Sequence, residues 1–156
     1  MKNKVMVVSL NLVAVILFAF AALILYWAIY PVSVITHYTL ENGEFIEQTE
    51  QPYSFTTNQN TVKRGEDISF NFYFQKHYNI SGETIRELFC GDNLITLTPF
   101  QSNLAVSDKI ETVTGRVEIP NKSSTGECYL QYTTIRQLNP IRTYSEIFQS
   151  NIFVIE

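Results

Sequence analysis

The feature that most constrains this chain is the run from Val5 to Tyr30, VMVVSLNLVAVILFAFAALILYWAIY, 26 consecutive residues without a formal charge. As a helix rising 1.5 Å per residue it would be about 39 Å long, against a bilayer hydrocarbon core of about 30 Å. A buried helix of a soluble protein would need a large surrounding core, which the 126 residues that follow are too few to provide. The run is therefore expected to be a transmembrane helix over 5–30, behind a short basic tail of residues 1–4. Lys2 and Lys4 precede it, while the first charge after it is Glu41, followed by Glu44, Glu47 and Glu50. Positive flanks stay cytoplasmic, so the N-terminus is expected inside and the C-terminus outside. Tyr26, Trp27 and Tyr30 sit at the outer end, where amphipathic rings favour the interface. Pro31, which lacks an N–H and restricts its predecessor, marks the expected helix end.

A cleaved signal peptide is the competing reading. Its apolar region runs about 7–15 residues and ends at a small-x-small site. The Ala19-Phe20-Ala21 triplet lies in mid-run, and a cut there would leave an apolar new terminus. A retained signal-anchor fits better. Asn11 is the one strongly polar residue in the span; it lies close enough to Lys4 to sit near the cytoplasmic interface rather than bond another helix.

Residues 31–52 read as an acidic stalk: VSVITHYTL alternates like a short strand, and ENGEFIEQTEQP carries a Gly turn, four Glu and a closing Pro. The acids are too sparsely patterned for a calcium loop. Residues 53–156 read as an exported β-domain. In Asp67–Gln75, Ile68, Phe70, Phe72 and Phe74 share one face and polar residues the other, the period of a half-buried strand. Cys128, Leu130, Tyr132 and Thr134 alternate in the same way. Further strands are expected at Tyr53–Thr57, Thr84–Cys90, Leu94–Thr98, Ile110–Ile119 and Ile147–Ile155, about seven in roughly 100 residues. The expected core fillers are Phe70, Phe72, Phe74, Leu88, Val117, Leu130, Phe148 and Phe153. The expected fold is thus an N-terminal single transmembrane helix followed by an all-β sandwich, immunoglobulin-like, with barrel and jelly-roll arrangements sharing the same texture.

The VKRGEDISF turn-and-strand and the GECYLQY strand resemble strands of immunoglobulin-type sandwiches. The whole plan, a basic tail, one span and an exported sandwich, resembles several groups of small membrane-anchored proteins, including phage-encoded ones. The Cys and core-Trp spacing of true immunoglobulin domains is missing, because the single Trp lies in the span.

Cys90 and Cys128 are the two cysteines, both on the exported side, and are expected to form a disulfide. No Cys-x-x-Cys favours redox chemistry, and His37 and His77 stand alone as solvated loop residues rather than metal ligands. Catalytic motifs such as G-x-S-x-G, H-E-x-x-H or a phosphate loop do not occur. The stretch RQLNPIRTY, read as an exposed loop, offers Arg136, Ile141, Arg142 and Tyr144 as candidate partner-binding residues, since Arg and Tyr combine contact area with directional hydrogen bonds. Its alternative is an ordinary hairpin whose Ile and Tyr pack back on the domain. Asn79-Ile-Ser and Asn121-Lys-Ser fit the glycosylation rule.

The net charge of -4 argues against nucleic acid, whose binding draws on phosphate neutralisation. The expectation is a non-enzymatic, single-pass structural or protein-interaction component in a cell membrane, or a virion component, its domain periplasmic or extracellular. Its partners would be membrane lipid and a protein or further copies of itself, with no cofactor, metal or small-molecule substrate. The alternative is an exported accessory domain of a membrane enzyme or transport complex, or an enzyme with a spatially assembled site.

Overall fold

The computed structural model describes residues 2–30, 34–102 and 106–156. Pro31, expected to end the helix, lies outside the described residues. A single N-terminal helix, α1 (Lys2–Ile29), precedes a domain built of strands. No residue of Leu12–Ile29 is buried by the rest of the chain. Leu17, Phe18, Phe20 and Leu25 are all more than 60% exposed. Exposure of this kind is not that of a core helix; the helix is long and apolar enough to cross a membrane, as an anchor or a signal sequence would be.

The strands are β1 (Ile35–Glu41), β2 (Glu44–Gln48), β3 (Tyr53–Thr57), β4 (Thr61–Val62), β5 (Asp67–Lys76), β6 (Gly82–Cys90), β7 (Asn93–Ser102), β8 (Glu111–Glu118), β9 (Gly126–Asn139), β10 (Arg142–Ser150) and β11 (Phe153–Ile155). They form one mixed, connected sheet organised around two long strands. Along one edge β5 pairs with β8, and along the other with β1 and then β3. Along one edge β9 pairs with β6, and along the other with β10 and then β11. The two groups are joined through β3. Its first half runs parallel to β10 from Tyr53 to Phe55, and Thr56 and Thr57 turn to pair antiparallel with β5.

Inner residues of both groups meet in one cluster. Ile68, Phe70, Leu88, Val117, Leu130, Phe148 and Phe153 are buried there, as is Phe74 in a smaller cluster with Val34 and Ile35. Phe72 is half-buried between the two clusters, so it is the one expected filler not fully enclosed. Phe55 stacks on Tyr132 at 5.4 Å and meets the edge of Phe70 at the same distance. Cys90 and Cys128 are register partners on β6 and β9, and they are joined by a disulfide.

Two segments differ from expectation. The stretch read as a stalk holds the β1–β2 hairpin, and β1 pairs with β5, so the domain's strands begin at Ile35, ahead of Tyr53. Asn42 and Gly43 both have positive φ (51° and 87°), the backbone of a two-residue hairpin turn. Residues 136–144 form the ordinary hairpin weighed against an exposed contact loop, but its strands run further than expected, β9 to Asn139 and β10 from Arg142, with Arg136 and Tyr144 paired across them.

Candidate functional site

Strand alternation places four charged or titratable residues on faces otherwise occupied by core residues. Lys76 follows Phe74 on β5, Arg136 follows Tyr132 and Thr134 on β9, Glu146 precedes Phe148 on β10, and His37 follows Ile35 on β1. All four are buried, with Lys76 and Glu146 at 0% exposure. Among the described residues Glu146 is the sole buried carboxylate.

Glu146 is bonded at both oxygens. His37 Nε2 donates to Oε1 at 2.8 Å, and Arg136 Nε donates to Oε2 at 2.9 Å. The His37 ring is held against Tyr53 at 4.4 Å and edge-on to Phe148 at 4.8 Å. Burial alone would raise the Glu146 pKa, but the His37 hydrogen bond and the charges of His37 and Arg136 together hold it below the usual carboxylate value. Lys76 moves the other way. Its pKa is lowered, first by desolvation and then by the nearby Arg136 charge. Desolvation raises the Tyr53 hydroxyl, helped by its hydrogen bond with Tyr144.

A cavity of about 90 Å³ adjoins the cluster. Its lining combines apolar and aromatic residues, Ile35, Phe72, Phe74, Val113, Tyr132 and Phe148, with the polar His37, Thr84, Thr134 and Arg136. The two threonine hydroxyls are hydrogen-bonded to each other at 2.9 Å. Arg136 Nη1 is buried without a hydrogen-bond partner. It lies over Gly82, where an added Cβ would come within 2.7 Å of Nη1 and 2.8 Å of Thr134 Cγ2. A glycine is what leaves room for the guanidinium there.

The candidate contact residues part company. Arg136 is 3% exposed and ion-paired, so it is not available to a partner as expected. Tyr144 is half-buried beside Tyr53. Ile141 is 53% exposed at the hairpin tip. Arg142 turns to the chain's own helix, its Nη1 3.5 Å from the Ala28 carbonyl oxygen and 3.4 Å from that of Ile29. Asn139 Nδ2 donates to the carbonyls of Trp27 at 2.5 Å and Tyr30 at 3.2 Å. The last carbonyls of a helix have no intrahelical partners as a rule, and α1 has no basic residue in its final turn. The hairpin tip supplies both the donors and the cation. Tyr30 and Tyr78 add a hydroxyl pair at 2.5 Å.

His77 is exposed and bonds Thr36 Oγ1 at 2.8 Å, whereas His37 is a buried partner of Glu146 rather than a solvated loop residue. Among the described residues no group of three or more His, Cys, Asp or Glu is placed to hold a metal. Asn79 and Asn121, the two glycosylation candidates, are both exposed.

No family model matches the chain, and no curated relative matches it. Solved structures similar in part include the sporulation control protein Spo0M from Bacillus subtilis, at 10% identity over 64% of this chain and 46% of that one, TM-score 0.37. A Niemann-Pick type C2 protein from Japanese carpenter ant is 6% identical over 62% of this chain and 92% of its own, TM-score 0.37. A family 123 glycoside hydrolase from Clostridium perfringens is 11% identical over 62% and 23%, TM-score 0.36. The chain spans less than half the length of the first and the last. At these scores the likeness carries no functional argument.

Proposed function

We propose that this chain is a single-pass membrane protein, N-terminus inside, whose exported immunoglobulin-like β-domain makes protein contacts. The carrying observation is that α1 exposes apolar side chains all round while its C-terminal carbonyls are held by Asn139 and Arg142 of the domain. An apolar patch of that extent marks a membrane or a partner. A helix end bonded to the domain supports a retained anchor over a cleaved leader, because cutting after Ala21 would leave that bonded end on a short apolar stub, ALILYWAIY, severed from the rest of its helix. The sandwich reading is supported by β3, which divides its pairing between the β5 and β9 groups, and by the shared core of their inner faces.

The β1–β2 hairpin is the best-supported contact surface. Leu40, Phe45 and Ile46 are each 44–46% exposed. Among the described residues β2 pairs with β1 alone, which leaves its other edge available for strand addition. Tags at both ends should report an N-terminus inside and a C-terminus outside on one uncut polypeptide. A photocrosslinker at Phe45 should capture a defined protein in the native membrane, and one at Ser69 should not. A mature chain starting near Ala22, or identical capture from both positions, would overturn the reading.

A further inference from the structure

The cavity beside the ion cluster carries a function that the anchor and the contact surface do not explain. Its polar lining is set up for negative charge. Glu146 already accepts from His37 and Arg136, one donor at each oxygen, and Arg136 Nη1 is left buried with no acceptor. A guanidinium N–H buried without a partner is costly, and more so than a neutral one. Thr84 and Thr134 share a single hydrogen between them, so one of the two hydroxyl protons is left over to donate elsewhere. Lys76, buried close enough to feel the Arg136 charge, adds to the positive field. The apolar part of the lining, Ile35, Phe72, Phe74, Val113 and Phe148, offers no side-chain hydrogen bond and suits hydrocarbon.

We infer that the cavity binds a short-chain monocarboxylate, its two oxygens taking Arg136 Nη1 and a threonine hydroxyl and its alkyl end lying against Phe72, Phe74 and Val113. The carboxylate class follows from one cationic donor and one neutral donor in the same lining, which match a planar two-oxygen group with a single charge. The size follows from the volume. About 90 Å³ is room for several waters, which a small carboxylate such as acetate or propionate replaces. A cavity filled by water alone is the competing occupant.

The test uses the full-length chain in detergent micelles, titrated with sodium propionate and, at matched ionic strength, with sodium chloride. Propionate should raise the thermal midpoint progressively and shift the Arg136 guanidinium resonances, and chloride should do neither. Val113→Phe, which fills the apolar end without touching the ion cluster, should weaken the half-saturating concentration by at least about tenfold, the effect of losing about 1.4 kcal/mol of binding. Thr84→Val keeps the volume and removes a hydroxyl, and should weaken binding several-fold through the lost donor. Equal responses to propionate and chloride, or a response unchanged in both variants, would overturn the assignment. A water-filled cavity gives no propionate-specific shift and would overturn it as well.

Discussion

Glu146 keeps its charge in a protein interior because two donors converge on it from different strands. The folded-state pKa lies below the ordinary 4.5, so the stability it contributes is complete above that value and is lost as pH falls through the lower folded value. Urea unfolding should therefore weaken on acidification below about pH 4.5. Glu146→Gln should cost about 3–5 kcal/mol at pH 7, because Arg136 is left buried without its counter-charge. The variant should also lose most of the acid dependence; parallel pH profiles for the two proteins would count against the pair. Gly115 makes a different demand. It faces Phe70 across the β5–β8 ladder, and a Cβ at that position would run into the Phe70 ring. Gly115→Ala should destabilise the domain by about 1–3 kcal/mol through overpacking, measured by chemical denaturation, whereas Thr114→Ala on the exposed side should be mild. The buried charges were readable in principle. In β5 the alternation Ile68, Phe70, Phe72, Phe74 continues in phase to Lys76, and in β9 Cys128, Leu130, Tyr132, Thr134 continues to Arg136. A hydrophobic period stops being recognised at the first charge, although the backbone goes on alternating past it. Nothing in the sequence says which carboxylate will meet that charge, because Arg136 and Glu146 become neighbours only when the hairpin forms.

At the scale of elements, β9 is the organising strand: 14 residues long, it pairs with β6 along one edge and with β10 and β11 along the other. The disulfide fastens its early part to the end of β6, closing a segment with a sequence separation of 38. In the chain-entropy account that closure contributes about 3–4 kcal/mol by restricting the unfolded chain. The double variant Cys90→Ser, Cys128→Ser should lose about that much in urea unfolding, and reduction of the unaltered protein should give the same loss. A change under about 1 kcal/mol would mean that the unfolded chain keeps the two strands close without the bond. The pairing was legible because the chain's two cysteines stood at the ends of alternating stretches. The β1–β2 hairpin was not, although Asn42-Gly43 carried its turn. Every β2 residue but Gln48 is exposed, so β2 has no apolar alternation, and its glutamates read as a spacer. The β9–β10 hairpin was weighed from the sequence, but the placement of its charges was hidden. Its charged residues suggest a solvent loop, but Arg136 is buried and Arg142 is spent on the helix end.

For the molecule as a whole, the contacts of Asn139, Arg142 and Tyr78 with the end of α1 would make the proposed anchor a lever. A domain bonded at the point where its helix ends follows the axis of that helix instead of swinging on a string. If α1 spans a bilayer as proposed, an apolar rod of about 39 Å against a core about 30 Å thick would lean, and a thickening by about 3 Å would reduce that lean by roughly 8° if tilt absorbed all of it. Carried along β9, about 45 Å at roughly 3.3 Å per residue, the change would sweep the far end of the domain through about 6 Å. Bilayer thickness would then be read out as the height and pose of the domain's outer surface. Spin labels at Glu127 should report a lipid-dependent depth in nanodiscs of different acyl length. Replacing both Asn139 and Arg142 with Ala should broaden the distances between labels at Ala22 and Ser145 and flatten that lipid dependence. A depth that ignores acyl length in the unaltered protein would show that the joint yields before the helix leans.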